Sequence, residues 1–238
     1  MINERCIAVV GGGGKTSLIF RLAGLLARKG RRVIVATSTH MAKDSHHPFA
    51  LWGDKEQLCC NLLSWGYSVV GVPEEMAEKI TCPVQPDWNL LLDCCDILLV
   101  EADGAHGRPL KVPAAHEPVI PEQAGLVIGV VGLDALGLTI KDGCHRPEQT
   151  AALLGQALEH RITEEDIARI CTDEQGLRKD VGKRPFRIVL NKADDEEIWR
   201  RGEEIRKKIM ERCPGQWVGV TSLMRMGADE ICQIFMKR

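Results

Sequence analysis

The chain has 238 residues, a length that suits one α/β domain with a modest appendage, and 45% of them are apolar, enough for a sizeable core. Its 31 lysines and arginines stand against 33 aspartates and glutamates, a net charge of −2 that gives no electrostatic reason to expect nucleic acid or a membrane surface as partner. No apolar run approaches the roughly 20 residues needed to span a bilayer, the first residues lack a signal-peptide core, and the ten cysteines include no CxxC.

We therefore expect a cytoplasmic protein with reduced thiols, mostly small core residues. Cys144, in a loop before His145-Arg146, is the cysteine to watch.

In chain order, Cys6 to Val10 is a continuous apolar run, as a strand buried on both faces requires. Four glycines follow, then a helix with Leu18, Ile19, Leu22, Leu25 and Leu26 on one face, closed by Arg28, Lys29 and Gly30. Val33 to Ala36 is the next buried strand, and the strand–helix–strand succession implies a right-handed crossover in a parallel sheet. Between 42 and 95 the pattern is weaker: a helix near Lys55–Trp65, a strand near Tyr67–Val72 and a helix after Pro86 are expected.

Buried strands recur at Ile97–Val100, Leu126–Val131 and Phe186–Leu190, with a short one at Trp217–Val220. Helices are expected at 147–159 and 164–172, the second opened by a capping box of Thr163 and Asp166. Another begins with Asp195, Glu196 and Glu197 and ends with Lys207, Lys208 and Arg212, and a last one starts from Gly227. The fold class is α/β: a P-loop NTPase-like, doubly wound, mostly parallel sheet with helices on both faces. Ligands of such sheets sit at the carboxyl ends of the strands.

Three stretches end strands and carry chemistry. "VVGGGGKTSL" resembles a phosphate-binding loop, although the Gly usually found five residues ahead of Gly-Lys-Thr is Val9 here. Gly11, Gly12, Gly13 and Gly14 supply backbone that can approach a ligand closely. Lys15 would reach the β- and γ-phosphates, the Thr16 hydroxyl would bind Mg²⁺, and Ser17 continues the cradle. The plainer reading is a tight turn with a solvated lysine.

"ILLVEADGAHGRPLK" places Glu101 and Asp103 two residues apart beyond a buried strand. One would hold Mg²⁺ with Thr16, and the other would position or deprotonate a nucleophile; the alternative is a solvated strand end and an Asp-Gly turn. In the long, aperiodic 104–121 loop, Arg108 is a candidate phosphate or carboxylate clamp, with Lys111, His116 and Glu117 nearby, and surface ion pairing is the alternative. The hydroxyls of Thr37, Ser38 and Thr39 could touch a metal or γ-phosphate, or Thr39 could cap a helix.

"RIVLNKADD" matches Asn-Lys-x-Asp after a strand, the guanine-reading pattern of GTPases. There Asp194 would accept from the ring N–H and exocyclic amine of the base and Lys192 would lie along it, with Asn191 the first residue of the motif and Thr221-Ser222-Leu223 in support. Otherwise Asn191 closes the strand and Asp194 or Asp195 caps the next helix.

Together "GGGGKTSLIFRLA", "VIVATSTHM", "EADGAHGRPLKVPAAHEPVIP", "VVGLDALG", "CHRPE" and "VLNKAD" resemble the YqeC family, accessory proteins assigned to selenium-dependent molybdenum hydroxylases. The resemblance runs in order from about Val9 to Asp194, and the Glu101–Pro121 block is its most specific part. The family's loop is shortened in the same way. The resemblance implies a nucleotide-binding protein acting in maturation of a selenium-containing molybdenum cofactor or hydroxylase, with that hydroxylase or its maturation proteins as partners. It implies no known reaction.

The expected organisation is one P-loop nucleotide-binding domain over 1–238, with a functional loop at 104–121 and a helical insertion at about 145–175. Three activities remain open: Mg²⁺-dependent hydrolysis of GTP or ATP, phosphoryl or nucleotidyl transfer to a small acceptor, and nucleotide-gated binding without turnover. Lys15, Glu101 and Asp103 are the catalytic candidates, and Thr16 with Glu101 the metal-binding pair.

Overall fold

A computed structural model describes residues 4–74, 78–227 and 230–231. The elements, in order, are β1 (Cys6–Gly11), α1 (Lys15–Arg28), β2 (Val33–Thr37), β3 (His40–Ala42), β4 (Phe49–Leu51), α2 (Lys55–Trp65), β5 (Tyr67–Pro73), β6 (Lys79–Thr81), α3 (Trp88–Cys94) and β7 (Ile97–Glu101). They continue with β8 (Leu110–Lys111), β9 (Leu126–Gly132), α4 (Ile140–Gly143), β10 (Cys144–His145), α5 (Pro147–Leu154), α6 (Glu164–Thr172), β11 (Phe186–Asn191), α7 (Glu196–Arg212) and β12 (Trp217–Val220).

The main sheet runs β12-β11-β9-β1-β7-β2-β5-β6-β3, with β4 beside β5. It is parallel except where β6 pairs antiparallel with β5 and β3. From β1 the chain works outward to β5, returns to lay β7 between β1 and β2, and then builds β9, β11 and β12 on the other side. The order therefore reverses around β1, and the carboxyl end of β1 is the crevice where such sheets take ligands.

The strands alternate faces with a period of two. Ile7 and Val9 of β1 pack with Val33, Val35, Leu99 and Ile128 beneath Leu18, Ile19 and Leu22 of α1. Cys6, Ala8 and Val10 point the other way, into a core shared with α2, α3, α5, α6 and α7. Because both faces are covered, the strands read as unbroken apolar runs, and β1, β2, β7 and β9 are buried throughout. The doubly wound α/β class expected from the sequence is the fold observed.

The predicted helix stops also have visible causes. Gly30, at φ +76°, closes α1 by donating to the Ala27 carbonyl, and the Thr163–Asp166 capping box opens α6. Asp195 caps α7 rather than sitting in its first turn, its carboxylate accepting from Ile198 N–H at 2.8 Å.

One expectation is corrected. The helix expected at 147–159 ends at Leu154, where Gly155 turns left-handed at φ +66°. Between 42 and 95 the expected α2, β5 and α3 are present, and the three-residue strands β4 and β6, too short to show a period, join them. The helix expected from Gly227 lies largely outside the described residues. None of the helices among the described residues is long and apolar enough to cross a membrane.

The 104–121 loop is pinned rather than loose. β8 pairs with β10, Val119 N–H donates to the Ala102 carbonyl at 2.9 Å, and the Ser38 hydroxyl donates to Val119 O at 2.6 Å. The Lys179 ammonium gathers the carbonyls of Ala114, Ala115 and Glu117.

Candidate functional site

The carboxyl ends of β1, β2 and β7 open into a cleft of about 980 Å³ whose lip is the glycine loop and the first turn of α1. The glycines serve packing as well as any ligand. At Gly13, with φ +72°, a Cβ would stand 2.0 Å from Gly132 N; at Gly12 it would stand 2.7 Å from the Arg108 carbonyl. Gly12 N–H donates to Val130 O and Gly13 N–H to Arg108 O, so the loop is laced to β9 and to the start of the 104–121 segment.

Gly13, Gly14, Lys15, Thr16 and Ser17 line the cleft, whereas Gly11 and Gly12 lie deeper. The first helical bond of α1 is Leu18 N–H to Gly14 O, and no side chain caps this end. The first-turn N–H groups thus sit at the cleft without intrahelical acceptors, beside the positive end of the helix dipole.

The two acids at the end of β7 part company. The Glu101 carboxylate faces the cleft and accepts from the Thr16 hydroxyl at 2.8 Å. Burial pushes its pKa above the ordinary 4.5, and Asp103 adds to this, while Lys15, the Thr16 hydroxyl and Lys111 pull the other way.

Asp103, predicted to position a nucleophile, lies wholly buried beneath the loop. Its two oxygens accept from Gly11 N–H at 3.1 and 3.0 Å and stand 3.2 Å from the ammonium groups of Lys15 and Lys111. The loop covers the carboxylate, which holds Gly11 N–H and the two ammonium groups and does not line the cleft. Lys15 also donates to Gly11 O at 2.6 Å, folded back over its own loop.

Lys111, placed by the sequence in the long loop with surface ion pairing as one alternative, is fully buried and donates to Gly104 O at 2.5 Å and to Glu117 at 2.9 Å. Glu117 in turn pairs with Arg146. Burial opposes ionisation of Glu117, but Lys111, the Ala114 N–H and Arg146 outweigh it and hold the pKa down to about 2. An alternating series, Lys15–Asp103–Lys111–Glu117–Arg146, therefore runs from the glycine loop to the head of α5. Sequence reading named Lys111 and Glu117 but not their partner Arg146, which lies 29 residues beyond Glu117. The parallel pairing of β8 with β10 is what joins them.

On the β9 side, Asn191 donates to Gly13 O at 2.8 Å and accepts from Thr221 Oγ1 and Leu223 N–H. The Ser222 hydroxyl donates to the Asp194 carboxylate. The structure thus brings Asn191 and Asp194 together with the 221–223 segment. Lys192, left-handed at φ +67°, pairs with Asp134 at 2.6 Å and lines the cleft. Arg108 also lines it, donating to the Asp142 carbonyl.

Cys144, the cysteine singled out, is buried, and burial pushes its thiol up to about 11. Burial thus favours the neutral thiol there over the thiolate.

A strand, a glycine loop bearing Gly-Lys-Thr and a helix, set at the switch point of a doubly wound sheet, define the phosphate-loop class of α/β architecture. The YqeC family profile, described as YqeC protein, matches residues 7–148. The uncharacterized protein YqeC of Escherichia coli K12 is 37% identical over 187 residues, spanning 74% of this chain and 70% of that protein. The chain belongs to the YqeC family.

Solved structures with a similar path include HypB from Helicobacter pylori in complex with nickel, at 13% identity and a TM-score of 0.44, covering 97% of this chain and 83% of that one. The hydrogenase maturation factor HypB from Archaeoglobus fulgidus aligns at 12% identity and a TM-score of 0.44, covering 98% and 89%.

Proposed function

We propose that this protein binds a nucleoside triphosphate with Mg²⁺ and hydrolyses it as an accessory factor in maturation of a selenium-containing molybdenum cofactor or hydroxylase. The maturation role comes from the family resemblance. The nucleotide rests on one observation: the uncapped first turn of α1 shares a cleft with Lys15 and with the Thr16–Glu101 pair.

The donor set fits magnesium. Thr16 Oγ1 and Glu101 are hard oxygens, and a carboxylate whose pKa is raised by burial gains most from a cation. Among the described residues no group of three or more His, Cys, Asp or Glu forms a metal site. Magnesium in nucleotide sites takes one or two protein oxygens and completes its shell with phosphates and water. It would supply charge neutralisation on the β- and γ-phosphates.

In this reading the α1 N–H groups and Lys15 hold the phosphates. On binding, Lys15 exchanges Gly11 O and Asp103 for phosphate oxygens, while Asp103 keeps Gly11 N–H and Lys111. Glu101, which lines the cleft bonded to the Thr16 hydroxyl, holds the metal. Asp194 reads a guanine ring, supported by its tie through Ser222 to the 221–223 segment.

The test is isothermal titration of the full chain, with Mg²⁺, against non-hydrolysable GTP and ATP analogues. We expect GTP to be preferred, the preference to vanish in Asp194→Ala, and all nucleotide binding to fall at least a hundredfold in Lys15→Ala. Unchanged affinity in Lys15→Ala would overturn the assignment. Preference for ATP would reduce the Asn191–Asp194 stretch to a brace. Where turnover occurs, phosphate released to water marks hydrolysis, and phosphate carried by an organic product marks transfer.

A further inference from the structure

The cleft extends beyond its phosphate-loop end to a wall built from segments that are remote in sequence. The 104–108 segment and the β10–α5 junction meet there, with the His106 and His145 rings stacked at 4.8 Å between centroids. Arg108 and Arg146 line the same wall. Of the four non-glycine residues at positive φ among the described residues, three line this cleft: His106 at +47°, Arg146 at +57° and Lys192 at +67°. Strained backbone gathers where surrounding structure holds side chains to a task.

We propose that this far wall is a second binding site, for the oxyanion group of a small ligand, phosphate-bearing or carboxylate-bearing, that the nucleotide acts with. The proposal rests on the nucleotide reading for its purpose but not for its geometry. The charges favour an anion. At this wall Arg108 and Arg146 stand with one acid, Glu117, which the buried Lys111 also pairs, and over the rest of the cleft Lys15, Lys79 and Lys192 outnumber Glu74 and Glu101.

Arg146 uses one guanidinium nitrogen on Glu117, and a guanidinium carries further N–H groups in a fork suited to phosphate or carboxylate. Burial, then Arg146, Lys111 and His106, push His145 down to about 4, so its imidazole is neutral at pH 7 and contributes hydrogen bonding without charge. Lys111, buried and committed to Asp103, Glu117 and Gly104, positions this wall without reaching the ligand.

The experiment is a phosphorus NMR titration of inorganic phosphate into the full chain, repeated on Lys15→Ala, Arg146→Gln and Arg108→Gln. Wild type should show two classes of site. Lys15→Ala should keep one, and each arginine variant should weaken that one at least tenfold while keeping the Lys15-dependent one. Arg108 is exposed and its side chain gives up one hydrogen bond, to the Asp142 carbonyl, so its variant disturbs the fold less than Arg146→Gln, which breaks the pair with Glu117.

Loss of all phosphate binding in Lys15→Ala would mean that the arginines touch the same anion as the loop, and it would overturn the second site. So would wild-type binding in both arginine variants. Arginine-dependent phosphate binding in a protein that takes no Mg-nucleotide would leave the site standing and remove the nucleotide reading. Competition by acetate at the arginine-dependent site alone would assign the ligand group to carboxylate; its absence would assign phosphate.

Discussion

The glycine loop is held from two sides by different chemistry. On the β7 side the support is ionic: Asp103 takes Gly11 N–H and sits between Lys15 and Lys111, all three nearly or fully buried. On the β11 side it is neutral: the Asn191 amide links Gly13 O to Thr221 and Leu223. The amide brace has no charge for an anion to compete for, so it fixes the path of the loop whatever is bound. The ionic brace includes the one lysine a phosphate would recruit, so it is the side that responds to a ligand.

Asp103→Ala should break that contrast most severely. It leaves two buried ammonium groups without their shared carboxylate, and removing one partner from a buried ion pair costs about 3–5 kcal/mol. We expect a large loss in the chemical-denaturation midpoint of the apo protein. Part of the loss should return when an anion fills the cleft and re-pairs Lys15. A midpoint like wild type would mean that Asp103 does not carry the loop.

Asn191→Ala should come next, at about 2–3 kcal/mol, because Leu223 N–H and the Thr221 hydroxyl lose a buried acceptor and Gly13 O a donor. No anion should restore this loss, since nothing charged is involved. Rescue by phosphate in Asn191→Ala as large as in Asp103→Ala would erase the difference between the two sides.

The neutral side was more legible in the sequence than the ionic one. The strand ends, the helix caps and the Asn191–Asp194 stretch all follow from local pattern: apolar runs four to seven residues long, turn residues after them, and caps at fixed offsets. The strand order could not be read locally, nor could the burial of Asp103. Glu101 and Asp103 are two residues apart and were expected to share a face, which holds only while the strand continues. β7 ends at Glu101, and the chain turns Asp103 under the loop. Lys111 left ligand contact and surface ion pairing open, because an aperiodic loop does not show that Asp103 and Glu117, on either side of it in sequence, close around a buried ammonium. Its partners come from the turn just after β7, the loop itself and, through Glu117, the head of α5.

Glu101→Gln is the smallest expected effect on the apo protein and carries the opposite sign. A carboxyl whose folded pKa lies above its unfolded value binds more protons folded than unfolded, so its contribution to stability falls as pH rises from 4.5 through the raised value. At neutral pH the ionised form is therefore a burden on the fold. Glutamine keeps an oxygen for the Thr16 hydroxyl and removes the buried charge, so thermal unfolding at pH 7 should be unchanged or shift slightly upward. The gain should shrink as pH is lowered toward 4.5 and wild-type Glu101 protonates. Magnesium should then make the decisive difference. In wild type it should tighten nucleotide binding, and in Glu101→Gln that dependence should weaken by at least tenfold while metal-free binding persists through Lys15. A variant that loses stability yet keeps its magnesium dependence would place Glu101 with the structural acids, alongside Asp103.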